Sequence, residues 1–106
     1  PVEGTPQVGI FDLIRAFQRV LKRFENTDDF REIVNDRFTV ADKIEELLNI
    51  VPEGGRVRFE ELFTSASSRG EVIVTFLAML ELIKLNHLQV EQEKLLGEIV
   101  IVRPAL

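Results

Sequence analysis

His87 is the only histidine of the chain, and there is no cysteine anywhere in it. With no ligand of a second type beside the imidazole, neither a metal centre nor a thiolate nucleophile is available. His87 falls where a helical pattern gives way to an alternating one, which suits a boundary residue. The pairs Glu45-Glu46 and Glu60-Glu61 are the nearest thing to paired carboxylates. Adjacent residues on a helix point in different directions, so neither pair converges on one substrate, and a solvated face accounts for both. Gly54-Gly55 follows Pro52 and ends a helical pattern, so a helix-terminating turn explains it better than a phosphate cradle. No H-x-x-x-H, G-x-x-x-x-G-K or G-x-S-x-G spacing occurs. These residues predict no catalytic, cofactor or metal site, and the chain is not expected to be an enzyme.

One charged constellation remains. Arg15, Arg19, Lys22 and Arg23 lie off the apolar stripe of their helix. Such a patch invites a nucleic acid or an acidic partner. The plainer reading is a solvated face whose cations sit near the helix C-terminus, where the dipole favours them.

The elements that position these residues follow from apolar spacing. "PVEGTPQVG", with two Pro and two Gly, reads as a flexible arm. Ile10, Leu13, Ile14, Phe17, Leu21 and Phe24 then mark one face of a helix. "ENTDDFREIVND" is a short acidic joining segment, either a brief helix or irregular. In "TVADKIEELLNIV", Thr39 is an N-cap with Asp42 three residues on, and Val40, Ile44, Leu47, Leu48 and Val51 form the buried stripe. "RVRF" is a short strand and "FEELF" about one and a half helical turns. Ser68, with Glu71 three residues later, starts a long helix that runs to about Asn86. "HLQVEQ" and "EIVIV" are strands joined by the turn "EKLLG". Residues 1–9 therefore read as an arm, 10–37 as a helical linker segment and 38–106 as a C-terminal domain. The order helix, strand, short helix, long helix, strand, strand is that of a winged helix. The fold class is α+β, mainly α with a small β-hairpin.

Bulk properties narrow the partners. The 106 residues are 45% apolar and 29% charged with a net charge of −5, which fits one soluble domain. No apolar run approaches the ~20 residues that span a bilayer, so no membrane is expected. The missing cysteines fit a reducing cytosol. No secretory signal is visible, and the start without Met reads as a piece of something longer. An acidic domain is repelled by phosphate backbones, which argues against nucleic acid as the main partner.

The long helix sharpens that argument. At 100° per residue, Val72, Phe76, Met79, Leu80 and Ile83 form one apolar face, taken as the core face. The opposite side holds Val74, Leu77, Ala78, Glu81, Lys84 and Leu85. A helix that reads the major groove presents Arg, Lys, Asn or Gln there. This one balances Arg69 and Lys84 against Glu71 and Glu81, and the hairpin sets Lys94 against Glu91, Glu93 and Glu98. Direct, sequence-specific DNA readout is not expected, although a winged-helix DNA-binding regulator is the alternative that the element order keeps open. The second apolar face must be covered by the N-terminal helix, by another protein or by a second copy of the chain. Leu95 and Leu96 in the turn either fold under onto Phe59 or Phe63 or belong to the same surface.

The stretch "FEELF…SRGEVIVTFLAMLELIKLNHLQVEQEKLLGEIVI" resembles the C-terminal end of the bacterial kleisins, the segregation and condensation protein A family. The family pattern has an Arg, a "VVTFLALLELIKLG" type helix, a strand rich in Gln and Glu, and a "GEI" strand. They correspond here to Arg69, Val74 to Asn86, Leu88 to Gln92, and Gly97 to Ile99. "DLIRAFQRVLKR" and "FTVADKIEELL" resemble the preceding helices. The resemblance covers most of the chain from Ile10 and implies a winged helix that docks on the ATPase head of a Structural Maintenance of Chromosomes (SMC) protein. It also implies a second partner, segregation and condensation protein B, bound by the upstream region of the full-length protein, and a cytoplasmic, nucleoid-associated location. On that reading, Ile73, Val74, Leu77, Glu81 and Lys84 contact the head, with Leu95, Leu96 and Ile99 from the wing. Arg69 is expected to cap or to pair with an acidic residue of the partner.

Overall fold

The computed structural model describes residues 9–24, 38–92 and 97–105. The arm before Gly9, the joining segment 25–36 and the hairpin tip 93–96, which holds Leu95 and Leu96, lie outside the described residues. Three helices, α1 (Ile10–Lys22), α2 (Val40–Ile50) and α3 (Arg69–Lys84), and a 3-10 helix at Phe59–Phe63 accompany three strands. The strands are β1 (Arg56–Arg58), β2 (Gln89–Gln92) and β3 (Ile99–Val102). They form one antiparallel sheet in the order β1-β3-β2. Val57 and Val90 both pair with Ile101. The fold is therefore α+β and mainly helical, with "RVRF" joining the hairpin as a third strand.

Local signals set the ends of the helices. Thr39 Oγ1 accepts the Asp42 N–H at 3.0 Å, and Asp42 Oδ2 accepts the Thr39 N–H at 3.4 Å, so α2 begins on a capping box. At its other end Arg103, arriving from β3, donates from Nη1 to the carbonyls of Leu48 (2.7 Å) and Val51 (3.2 Å). A cation on the last carbonyls of a helix satisfies orphan acceptors and suits the dipole. Gly54 then turns the chain at φ +79°, and its N–H reaches the Arg103 carbonyl at 2.8 Å. A Cβ on Gly55 would lie 2.9 Å from the Pro52 carbonyl oxygen, so the turn needs a residue without one. Ser68 Oγ accepts the Glu71 N–H at 3.0 Å to start α3. Asn86 closes the helix at φ +67°, with His87 N–H on Leu82 O (2.8 Å) and Asn86 N–H on Ile83 O (3.0 Å). Those two bonds are a Schellman motif with Asn in the left-handed position.

The core gathers Leu13, Ala16 and Val20 from α1, Leu47 and Val51 from α2, Phe59, Leu62 and Phe63, the inner face of α3, Leu88, and Ile99 and Ile101 of β3. Phe17 of α1 stacks on Phe76 of α3 at 4.0 Å between ring centres, and Phe59 meets both Phe63 and Phe76 edge-on. Aromatic pairs of this kind add about 0.5–1.5 kcal/mol each beyond burial. They hold α1 against α3 and the 3-10 helix.

Two helices are rotated from their expected orientation. The buried residues of α3 are Glu71, Val72, Thr75, Phe76, Ala78, Met79 and Leu82, whereas Leu80 and Ile83 are only half-buried. The buried arc is turned by roughly 60° toward Glu71 and Ala78, at 100° per residue. Ala78, expected on the outer side, is fully buried. In α1, Ala16 and Val20 are buried while Ile10 and Ile14 are exposed. Val40 of α2 is exposed as well, and Lys43 is buried in its helix.

Candidate interaction surface

The rotation of α3 has a polar cause. Glu71 and Thr75 lie on its inner side, where polar residues are normally costly to bury. Here each is satisfied. Thr75 Oγ1 donates to the Glu71 carbonyl at 2.7 Å. Glu71 Oε1 accepts from the Ser67 N–H (2.9 Å) and hydroxyl (3.3 Å). Glu71 Oε2 accepts from Lys43 Nζ of α2 at 2.5 Å. Lys43 also donates to Glu46 Oε1 at 2.8 Å and lies 4.6 Å from the centre of the Phe38 ring. The Lys43 and Glu71 side chains are 4% and 7% exposed. Burial opposes both charges, but hydrogen bonds and opposite charges outweigh it. The Lys43 ammonium is held above its ordinary value through Glu46 and Glu71. The Glu71 carboxyl is held below its own through Lys43 and Ser67.

Turning Glu71, Thr75, Ala78 and Leu82 inward turns Ile73, Leu77 and Lys84 outward. At i, i+4 and i+11 they fall on one line, with half-buried Leu80 at i+7 completing it. Ile73 is 39% exposed and Leu77 47%. Val74 and Glu81 flank the line and are half-buried, as is Arg69 at its start. Leu85, just past the helix, is exposed too. α1 stacks Phe17 on the neighbouring Phe76, and Ile73 and Leu77 stay exposed with it in place.

The surface expected from sequence is thus partly assembled. Ile73, Leu77 and Lys84 are exposed together, with Val74, Glu81 and Arg69 at their margin. Ile99 is a correction, because its side chain is buried in the core and β3 is the central strand; it holds the hairpin down rather than facing outward. Leu95 and Leu96 lie outside the described residues. Leu80, assigned to the core from its spacing, does pack against it but is only half-buried, at the edge of the outer line. The small and polar inner residues Ala78, Thr75 and Glu71 were the signal that could have placed it.

The other candidate chemistry disperses. Glu46 takes Lys43, Glu60 takes Arg23 at 3.2 Å, and Glu61 takes the Arg58 N–H, so the acidic pairs diverge. His87 is an exposed helix-end residue bonded through its backbone. Among the described residues no group of three or more His, Cys, Asp or Glu side chains is arranged to hold a metal ion. None of the described helices is long and apolar enough to cross a membrane.

The sequence profile described as "Segregation and condensation protein ScpA" matches residues 5–103. The chain belongs to the segregation and condensation protein A family. Similar members of that family include the protein of Brevibacillus brevis, 36% identical over 94 residues, a span covering 89% of this chain and 37% of that protein. The Lactococcus lactis subsp. lactis protein is 38% identical over 94 residues, covering 87% of this chain and 39% of its own length. The Myxococcus xanthus protein is 35% identical over 100 residues, covering 92% and 34% respectively. The chain therefore spans little more than a third of the curated ScpA relatives it matches.

Proposed function

We propose that this domain is the head-docking end of a bacterial kleisin, a non-catalytic winged helix that seats the outer line of α3 on the ATPase head of an SMC protein in chromosome condensation and segregation. Membership of the segregation and condensation protein A family supports the cellular role. The observation that carries the docking surface is Leu77. It is about half exposed on a helix whose other side is the centre of the core, and it stays so with α1 stacked on the neighbouring Phe76. Ile73 and Leu77 supply an apolar centre, Glu81, Lys84 and Arg69 a polar rim, and the hairpin tip with Leu95 and Leu96 extends the contact. Interfaces of this kind concentrate affinity in a few buried anchors, each worth about 2 kcal/mol or more when truncated. The same proposal has the upstream region of the full-length protein bind segregation and condensation protein B, and the complex work in the cytoplasm on the nucleoid.

The experiment is a titration of the domain with an SMC head. Leu77→Lys abolishes binding while the circular dichroism and melting temperature stay those of the parent. Unchanged affinity in a folded variant would move the interface elsewhere. Light scattering across concentrations, without the head, tests whether the same line pairs with a second copy instead.

A further inference from the structure

The outer side of α1 has no role in the core or in the proposed docking line. Arg15, Gln18, Arg19 and Lys22 are all exposed there; Arg15, Gln18 and Lys22 face away from Leu13, Ala16 and Val20, and Arg19 flanks them at the rim of a small cleft it shares with Ala16, Glu60 and Glu98. From Ile10 to Arg23 there are four basic residues against one acid, Asp12, in a chain whose net charge is −5. The cations are thus concentrated on one helix of an acidic protein. Arg19 and Lys22 make no ion pair with another described residue. Arg15 pairs with Asp12 in an i, i+3 contact on which Arg15 stays 56% exposed, and such surface pairs cost little to open. Arg23 is excluded, being engaged with Glu60.

We propose that the outer face of α1 holds the phosphate backbone of duplex DNA without reading its sequence. Arg15 and Lys22 are seven residues apart, about 10 Å along the helix axis, the axial rise of roughly three phosphates on one strand. Arg19 sits between them, and the Gln18 amide adds a neutral donor of the kind that also contacts phosphate. Phe11, 70% exposed, lies one turn before Arg15 on the same side, so charge is what selects the partner: a row of long, solvated cations at i, i+4 and i+7 suits a polyanion of regular charge spacing. This face and the outer line of α3 share no residue, so the inference stands or falls apart from the docking proposal.

The test is fluorescence anisotropy of this chain with two unrelated 30-base-pair duplexes of equal length. Three phosphate contacts predict a slope of about −2.7 in log K against log salt, so affinity should fall roughly 40-fold between 50 and 200 mM salt. Both duplexes should bind alike. Arg19→Ala and Lys22→Ala should each reduce the slope by about 0.9, and the Arg15→Ala/Arg19→Ala/Lys22→Ala variant should lose binding while its circular dichroism is unchanged. Absence of binding at 50 mM salt, a preference for one sequence, or a triple variant that binds like the parent would each overturn the proposal. So would polyglutamate competing as well as DNA, which would point to an acidic protein.

Discussion

Lys43→Met tests the account of how α3 is oriented. The substitution keeps the length of an apolar stem and removes the ammonium. Glu71 is then left buried at 7% side-chain exposure with its carboxylate held only from the α3 N-terminus. Breaking a buried pair from one side costs about 3–5 kcal/mol. The lower end applies, because Ser67 keeps two hydrogen bonds on Glu71 Oε1. With a urea m-value on the order of 1.5 kcal/mol/M, a loss of about 3 kcal/mol moves the midpoint by roughly 2 M. The pair also has a pH signature. The Glu71 carboxyl lies below its ordinary 4.5 in the folded chain, so its stabilisation is present above that value and is lost as pH falls through the folded one. The Lys43 ammonium lies above its ordinary 10.5, so its share is present below that value and is lost as pH rises past it. Urea midpoints measured from pH 3 to pH 11 should fall at both ends for the parent, and both limbs should flatten in Lys43→Met. Lys43→Met/Glu71→Leu should recover most of the loss, since an apolar pair of similar volume replaces a buried ion pair at little net cost. A single variant within about 1 kcal/mol of the parent, with a parallel pH profile, would refute the reasoning; that is the size expected of an exposed pair.

Ala78→Leu forces three further carbons into a fully buried site and should lower stability by about 1–3 kcal/mol, seen as a lower thermal midpoint with unchanged helix content. Gly55→Ala should be destabilising despite its small size, because its Cβ meets the Pro52 carbonyl at 2.9 Å; a urea midpoint at or above the parent's would contradict this. Arg103→Met removes the donor to Leu48 O and Val51 O and should cost about 1.5–3 kcal/mol, the range for hydrogen bonds to a charged group. Amide exchange should then quicken first in the last turn of α2.

Much of the fold was legible because its signals are local. The Thr39 and Ser68 caps and the Gly54 turn act within a few residues, and the structure has each of them. The "RVRF" and "HLQVEQ" strands were likewise readable from alternation, and "EIVIV" from its β-branched residues. What was not legible depended on a partner distant in sequence. Lys43 and Glu71 are twenty-eight residues apart, and each alone reads as a solvated charge. Paired, they make a polar inner side that no apolar count includes, and so Ala78, fully buried, reads as surface while Leu80 and Ile83 only edge the core. In α1 the stripe holds at Leu13, Phe17, Leu21 and Phe24, but Ala16 and Val20 join it inward and Ile10 and Ile14 do not. Ile73, Leu77 and Lys84 survived as surface residues because they lie far enough from either version of the buried arc. Ile99 did not, because its strand's central place in the sheet depends on β1, more than forty residues earlier.

That central strand has a consequence for how the chain comes together. β3 is last of the three strands in sequence and middle in space, and the backbones of β1 and β2 are joined only through it, although the Arg56 and Glu91 side chains reach across at 3.0 Å. Arg58 waits about forty residues for Val100, a closure whose entropic penalty grows only slowly with length but whose reward comes last. During synthesis, α2 and α3 can meet while two short strands still carry open edges, the kind of surface that templates pairing with other chains. One four-residue segment, Ile99–Val102, closes both edges at once. The order of assembly therefore runs helices first and sheet last, and a chain that has emerged only as far as Glu98 has most of its core residues and no sheet.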